Sequence, residues 1–350
     1  MTTKQHNDHQ SMIFEFLIAP FFFKTPFEDY LAEMTSKQKE LLSETLSDVE
    51  QLTAFFSEYH EEMKQYYLTV PYNSSITLTL YFYLLNQKKD PKTIKEVVAL
   101  FKNLSKEEVK YVLSLLLSND FSETTEKDFD YITMIETSDL KADEKWYWLQ
   151  AFKHPQEFMT GLCDLILTFQ PIYQPFYQKY QKEREEFAKT FEIEKTLLKV
   201  GTIGEEFVSK LLDSPYKIFF LSPYLIVLSI IQYSSLTNLP SFITVSSKIT
   251  ELLDTKEQLD NDDLTTLLKV ISDVTRYDIL IASTKPNIKI KAIAENLGIT
   301  SSAVTFHIQK LINSKLLTIN KTDDNVKYNL NKELLKDVIK KLENDLLDDN

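Results

Sequence analysis

The chain has 350 residues, 43% hydrophobic and 26% charged, with a formal charge of −13; this is enough apolar content to bury a core, which excludes wholesale disorder, and the length predicts two domains. Only 4 Gly and 11 Pro exclude a glycine-rich phosphate loop and move the expectation from β sandwich to helix. One cysteine, Cys163, excludes an intrachain disulfide and a thiolate cluster, and the polar start MTTKQHNDHQ has no apolar stretch of the secretory kind, so the expected location is cytoplasmic.

Along the chain, Met12–Phe23 (MIFEFLIAPFFF) is rich in strand-prone residues and predicts an initial strand entering a core. From Ser36 to Tyr67, Leu41, Leu42, Leu46, Val49, Leu52, Phe55, Phe56, Tyr59 and Met63 recur at spacings of three and four, which predicts one long amphipathic helix. Asp90-Pro91 predicts a helix start running to Asn103. Ser105 and Glu108 form a capping box for a helix through Leu117. Further helices are expected over 125–138, 141–153 and 155–190, with His154-Pro155 as a break.

Beyond Gly204 the composition changes, and KIFFLS, YLIVLSIIQ and SFITVS predict short strands. The apolar stretch Ile218–Tyr233 falls short of the roughly 20 residues a membrane helix needs, and Pro223 interrupts it. It reads as two buried strands joined by a turn, so no membrane partner is expected. Aromatic groups at Phe21–Phe23, Trp146–Trp148, and Phe169, Tyr173, Phe176, Tyr177 and Tyr180 are core candidates, with a pocket for a small apolar ligand as the alternative reading. His6 and His9 in the polar start read as tail rather than metal site. Paired carboxylates such as Glu185-Glu186 and Glu205-Glu206 have no nucleophile or His beside them, so no catalysis is expected.

Charge is distributed unevenly. Residues 1–263 carry 26 basic and 41 acidic side chains, a charge of −15, whereas residues 264–331 carry 9 and 5, a charge of +4. A basic segment in an acidic chain is the footprint of a polyanion-binding module, although charge alone does not separate this from a chance fluctuation. The periodicity there is more specific. Ile290, Ile293, Ala294 and Leu297 share a helical face, Gly298 can take positive φ in a tight turn, and Thr300 can cap a second helix over 301–313. In that helix Val304, Ile308, Leu311 and Ile312 point inward. Strands at Leu316–Lys321 and Val326–Leu330 form a wing, and a helix over 331–347 carries Leu334, Leu335, Val338, Leu342 and Leu346 along one stripe.

From Leu267 to Leu330 the chain resembles the ArsR-type winged-helix repressors. The resemblance rests on Asp273-Val-Thr-Arg276, on the Leu297-Gly298-Ile299 turn with the following Ser/Thr helix and His307, and on Tyr328 closing the wing. It implies a repressor that binds double-stranded DNA as a homodimer, with a winged-helix domain over 260–350 for DNA binding and dimerisation; the mainly helical N-terminal domain over 1–255 is read from the helical periodicities, and its expected role is the input of an effector or partner. The fold class expected is therefore mainly α: a large helical domain with a few short strands, then a winged helix-turn-helix. Ser301, Ser302, Thr305, Phe306, Gln309, Lys310, Lys321 and Lys327 are the candidate DNA contacts, and the stripe Leu334 to Leu346 the dimer contact. Phe306 either meets thymine methyls or packs; His307 is expected to hold a structural hydrogen bond on the flank facing the body.

The chain departs from the family's metal sensors. Where they place cysteines before the first helix of the motif it has Ile288, Lys289 and Ile290, and no His follows His307; no metal or other cofactor is expected. The rival readings are a winged helix that docks proteins instead of DNA, and an enzyme in the N-terminal domain.

Overall fold

In the computed structural model, the segment Met12–Phe23 is the body of a helix, α1 (Asp8–Phe22), and not the expected strand. Every residue from Ile13 to Pro20 is buried. A helix that is apolar on all sides belongs in the middle of a core, and a short apolar run does not distinguish that from a buried strand. The structure describes residues 8–24, 26–32, 34, 36–70, 74–118, 130–138, 140–200, 205–225, 227–231, 239–254, 261–284, 290–322 and 325–347. The chain divides into two compact units, one of residues 1–34, 39–190 and 214–249, the other of 35–38, 191–213 and 250–350.

Helix α2 (Phe27–Ala32) follows α1, and the single helix expected over Ser36–Tyr67 is three: α3 (Ser36–Leu41), of which residues 36–38 are counted with the second unit, then α4 (Ser43–Ser57) and α5 (His60–Tyr66) in the first. Its apolar face persists, with Leu42, Val49, Leu52, Phe56 and Met63 buried. The breaks fall where hydroxyls bond back to the main chain: Thr45 Oγ1 donates to the Leu42 carbonyl at 2.8 Å and Ser57 Oγ to the Ala54 carbonyl at 2.6 Å, a competition with the helical ladder.

A short antiparallel pair, β1 (Thr69–Val70) and β2 (Ser74–Ser75), leads into α6 (Ile76–Asn86). The helix expected from Asp90-Pro91 begins later, as α7 (Ile94–Lys102), because the Thr93 hydroxyl accepts the Glu96 N–H at 3.2 Å and sets the cap. The Ser105/Glu108 box opens α8 (Lys106–Ser118) as expected: Glu108 Oε2 accepts the Ser105 N–H at 2.8 Å and Ser105 Oγ the Glu108 N–H at 3.2 Å. Of the helix expected over 125–138, residues 125–129 lie outside the described residues and the rest is α9 (Tyr131–Thr137). Next come α10 (Ala142–Lys153), α11 (Pro155–Lys179) and α12 (Gln181–Thr190), the last two parting at Tyr180.

The three strands read from the sequence are present as β3 (Tyr216–Leu221), β4 (Leu228–Ile231) and β5 (Ser241–Ser246). Their order is β3-β5-β4, with β5 fully buried, parallel to β3 and antiparallel to β4. The two strands of the Ile218–Tyr233 stretch are thus separated by β5. Among the described residues, no helix is long and apolar enough to cross a membrane.

α1 packs on β3, α6 and α11. Phe14 meets Phe219 at 4.8 Å, Phe56 meets Phe169 at 5.0 Å and Phe82 meets Phe242 at 4.6 Å. This aromatic core encloses a carboxylate. Glu15, fully buried, accepts the Ser222 N–H at 2.7 Å, the Ser222 hydroxyl at 2.6 Å and the Tyr173 hydroxyl at 2.8 Å. Arg184, also buried, donates to Ser222 Oγ at 2.8 Å and lies 3.5 Å from the centre of the Tyr177 ring. Burial raises the Glu15 pKa; the Arg184 charge and the hydrogen bonds oppose the shift. His9, read as part of a polar tail, lies in α1 with Nε2 3.2 Å from Asp90; His6 lies outside the described residues.

The second unit takes α13 (Ile193–Val200) and α14 (Glu205–Asp213), segments that fall inside the stretch 1–255 assigned to the N-terminal domain by sequence. It continues through α15 (Ile249–Asp254), α16 (Asn261–Ile271), α17 (Val274–Ala282), α18 (Ile290–Leu297) and α19 (Ser301–Asn313). A hairpin of β6 (Leu317–Thr322) and β7 (Asn325–Leu330) and the helix α20 (Lys332–Leu346) complete it. Ile279, Ile293, Val304, Ile308, Leu311, Leu316 and Leu317 form its core.

Candidate nucleic-acid interface

The turn between α18 and α19 is built by local chemistry. Gly298 adopts φ +65° with open space where a Cβ would stand, and the Ile299 N–H closes on the Ala294 carbonyl at 3.1 Å. This is a left-handed helix terminus, for which glycine is the residue of least strain. Thr300 then accepts the Ala303 N–H at 3.1 Å and starts α19. Val304, Ile308 and Leu311 are buried in the core, which orients the helix and fixes its opposite side outward.

The Asp273–Arg276 corner joins three helices. Asp273 Oδ1 accepts the Arg276 N–H at 2.9 Å and caps α17, while Arg276 Nε donates to the Val270 carbonyl at 2.7 Å and Nη2 to that of Lys269 at 3.2 Å. One pair of residues three apart, Asp273 and Arg276, therefore satisfies a donor at the start of α17 and acceptors at the end of α16. The same Asp273 carboxylate lies 4.0 Å from Nδ1 of His307 on α19. The hydrogen bond expected for His307 is not formed: Nδ1 is buried without a partner. Desolvation is the main cause of a lowered His307 pKa, with Asp273 opposing it and Arg276 and Lys310 adding to it.

The wing is also anchored locally. Asn331 Oδ1 accepts the Leu334 N–H at 3.1 Å, capping α20, and Asn331 Nδ2 donates to the Lys315 carbonyl at 3.0 Å. Lys315 itself sits at φ 62°. Sequence reading passed over Asn331, although an Asn directly before an amphipathic run is a capping signal.

Six candidate contacts come together on α19. Ser301, Phe306, Gln309 and Lys310 are exposed, and Ser302 and Thr305 half-exposed. Thr305 Oγ1 donates to the Ser301 carbonyl at 3.0 Å, so its hydroxyl hydrogen is engaged in the helix. Gln309 Nε2 donates to Asn313 Oδ1 at 2.9 Å. Phe306 is 46% exposed, with Lys310 Nζ 5.3 Å from its ring centre. The face thus offers hydroxyls toward the start of the helix and, further along, an aromatic with a cation and an amide beside it. Lys321 and Lys327 belong to β6 and β7, opposite Val326 and Asn320 respectively; their side chains, and Asp323 and Asp324, lie outside the described residues.

The stripe on α20 finds its partner inside the chain. Val338 is buried, and Leu334, Leu335 and Leu342 are half-buried against the core of the second unit. Of the five residues only Leu346 is strongly exposed, together with Ile339, which the stripe did not include. Among the described residues, no three His, Cys, Asp or Glu side chains gather as a metal site.

Comparison with known proteins gives one family match, to winged helix-turn-helix DNA-binding domains over residues 273–318. No curated protein and no solved structure matches the chain. The match runs from the Asp273 cap through both helices of the motif into the first wing strand, the same residues whose caps, turn and buried face are described above. Residues 273–318 are a winged helix-turn-helix DNA-binding domain.

Proposed function

We propose that the chain is a DNA-binding transcriptional regulator: a cytoplasmic repressor, related to the ArsR type, that acts as a homodimer with α19 in the major groove and the first unit as sensor. The observation that carries the reading is the outward face of α19, where Ser301, Ser302, Thr305, Phe306, Gln309 and Lys310 are presented by a helix whose other side is locked into the core. Its start carries the positive end of the helix dipole, where a phosphate can be met. The ArsR-like part of the reading rests on the Asp273–Arg276 corner and on Tyr328, half-buried against the same core. Two such units, related by a two-fold axis, would read half-sites roughly 34–36 Å apart. The proposal assigns no catalytic step to the chain.

The test is a salt titration of the full chain against DNA from upstream of its own gene. DNA binding predicts an affinity that falls linearly in a log–log plot against salt. A second reading, a winged helix that docks a protein, is favoured by one observation: Val274, Tyr277 and Ile281, spaced along α17, are 74%, 52% and 48% exposed. Absence of DNA binding even at low salt would favour that reading.

A further inference from the structure

The first unit holds a cleft that the DNA reading does not use. It opens between the end of α1, α5, β1 and α10, with Phe21, Met63 and Trp148 among its walls, and leaves about 80 Å³ for the centres of water molecules; at about 10–15 Å³ for each water this is room for several waters or one small organic molecule. Three charged side chains stand at its wall: Lys24, Lys64 and Glu144.

These charges are not equally free. Lys64 lies 3.4 Å from Glu61 and 3.9 Å from Asp143. Glu144 Oε2 accepts the Lys141 N–H at 2.8 Å as part of the cap of α10. Lys24 instead places its ammonium 4.4 Å from the centre of the Phe21 ring and has no ion-pair partner among the described residues. Lost hydration lowers its pKa, with Glu144 partly offsetting the shift. The Lys24 side chain stays open to solvent, so a carboxylate can reach it at the mouth of the cleft and form a charge-assisted hydrogen bond, stronger than a neutral one. Tyr67 adds a second polar feature, since its hydroxyl is buried with no hydrogen-bond partner.

We propose that this cleft binds a small organic acid with an aromatic or apolar body, its carboxylate on Lys24 and its body against Phe21, Met63 and Trp148. Apolar walls supply the affinity, and the single unpaired cation selects the anionic ligand over a neutral one of the same shape. Service of the site as the input of a regulator rests on the DNA reading; binding itself does not.

The test uses the full chain carrying Trp146→Phe, which leaves Trp148 as the one tryptophan of a chain that has two. Its emission is followed while 4-phenylbutyrate, or the matched neutral 4-phenylbutan-1-ol, is added. The expected result is a saturable change with the acid and about tenfold weaker binding of the alcohol. Lys24→Met, at an exposed position, should bring the acid to the level of the alcohol with an unchanged far-ultraviolet circular dichroism spectrum. No saturable response to either compound, equal affinity for both, or a preference for the acid that survives Lys24→Met would each overturn the proposal. No DNA is present, so this failure is separate from a failure of the DNA reading.

Discussion

Phe306→Ala isolates the sequence-reading part of the interface from the phosphate-binding part. The ring is 46% exposed, and an aromatic side chain presents about 200 Å², so about 90 Å² is open to a thymine methyl or base edge. At about 25 cal/mol per Å² this is worth about 2 kcal/mol, or roughly a 30-fold loss of affinity for the preferred site. Non-specific affinity should hold, because it comes from cations on phosphates and Lys310 is retained. Thermal stability should also hold, since the ring contributes little to the core. The assay is fluorescence anisotropy at one fixed salt concentration, against a site selected from a random DNA pool and against an unrelated duplex. No Arg stands on α19, and Arg is the commonest reader of guanine, so the selected site should be rich in A·T pairs. A GC-rich site, or a variant with unchanged preference between the two duplexes, would refute the argument that Phe306 reads bases.

Lys310→Ala and Lys321→Ala should each weaken binding to all duplexes alike and reduce the slope of log affinity against log salt by about one; an unchanged slope removes that residue from the phosphate contacts. On α20, Leu342 is half-buried against its own core, so Leu342→Asp should lower the melting temperature of the second unit. Ile339, 55% exposed, should tolerate Asp with stability intact; if the dimer forms through this side, light scattering then shows a monomer, and a persistent dimer places the interface elsewhere. For Glu15, the folded carboxyl titrates above its ordinary value of 4.5 because it is buried, so the folded state binds the proton more tightly than the unfolded chain does. The cost of its ionised form is fully present above the folded pKa and vanishes below the unfolded one. Urea midpoints should therefore show the native protein gaining on Glu15→Gln as pH falls through that window; a difference independent of pH would contradict a raised Glu15 pKa.

The helix-turn-helix was legible because everything that builds it is close in sequence. A glycine with positive φ, a Thr cap three residues from its donor and apolar residues three and four apart act within one or two turns of helix, so Gly298, Thr300 and the Val304–Ile308–Leu311 face stand where the residue pattern put them. The same locality explains the capping box of α8 and the three strands of the sheet. Tertiary packing decided the rest. Met12–Phe23 carries strand-prone residues, yet it is enclosed on all sides by β3, α6 and α11, and a helix satisfies its own main-chain hydrogen bonds in such a place without neighbouring strands. The partners of Glu15 are more than 150 residues away in sequence, so no window could have paired them. The stripe on α20 announced an apolar face but not what covers it: periodicity measures how hydrophobicity is arranged around a helix axis, whereas the identity of the covering surface depends on where distant segments of the chain come to rest.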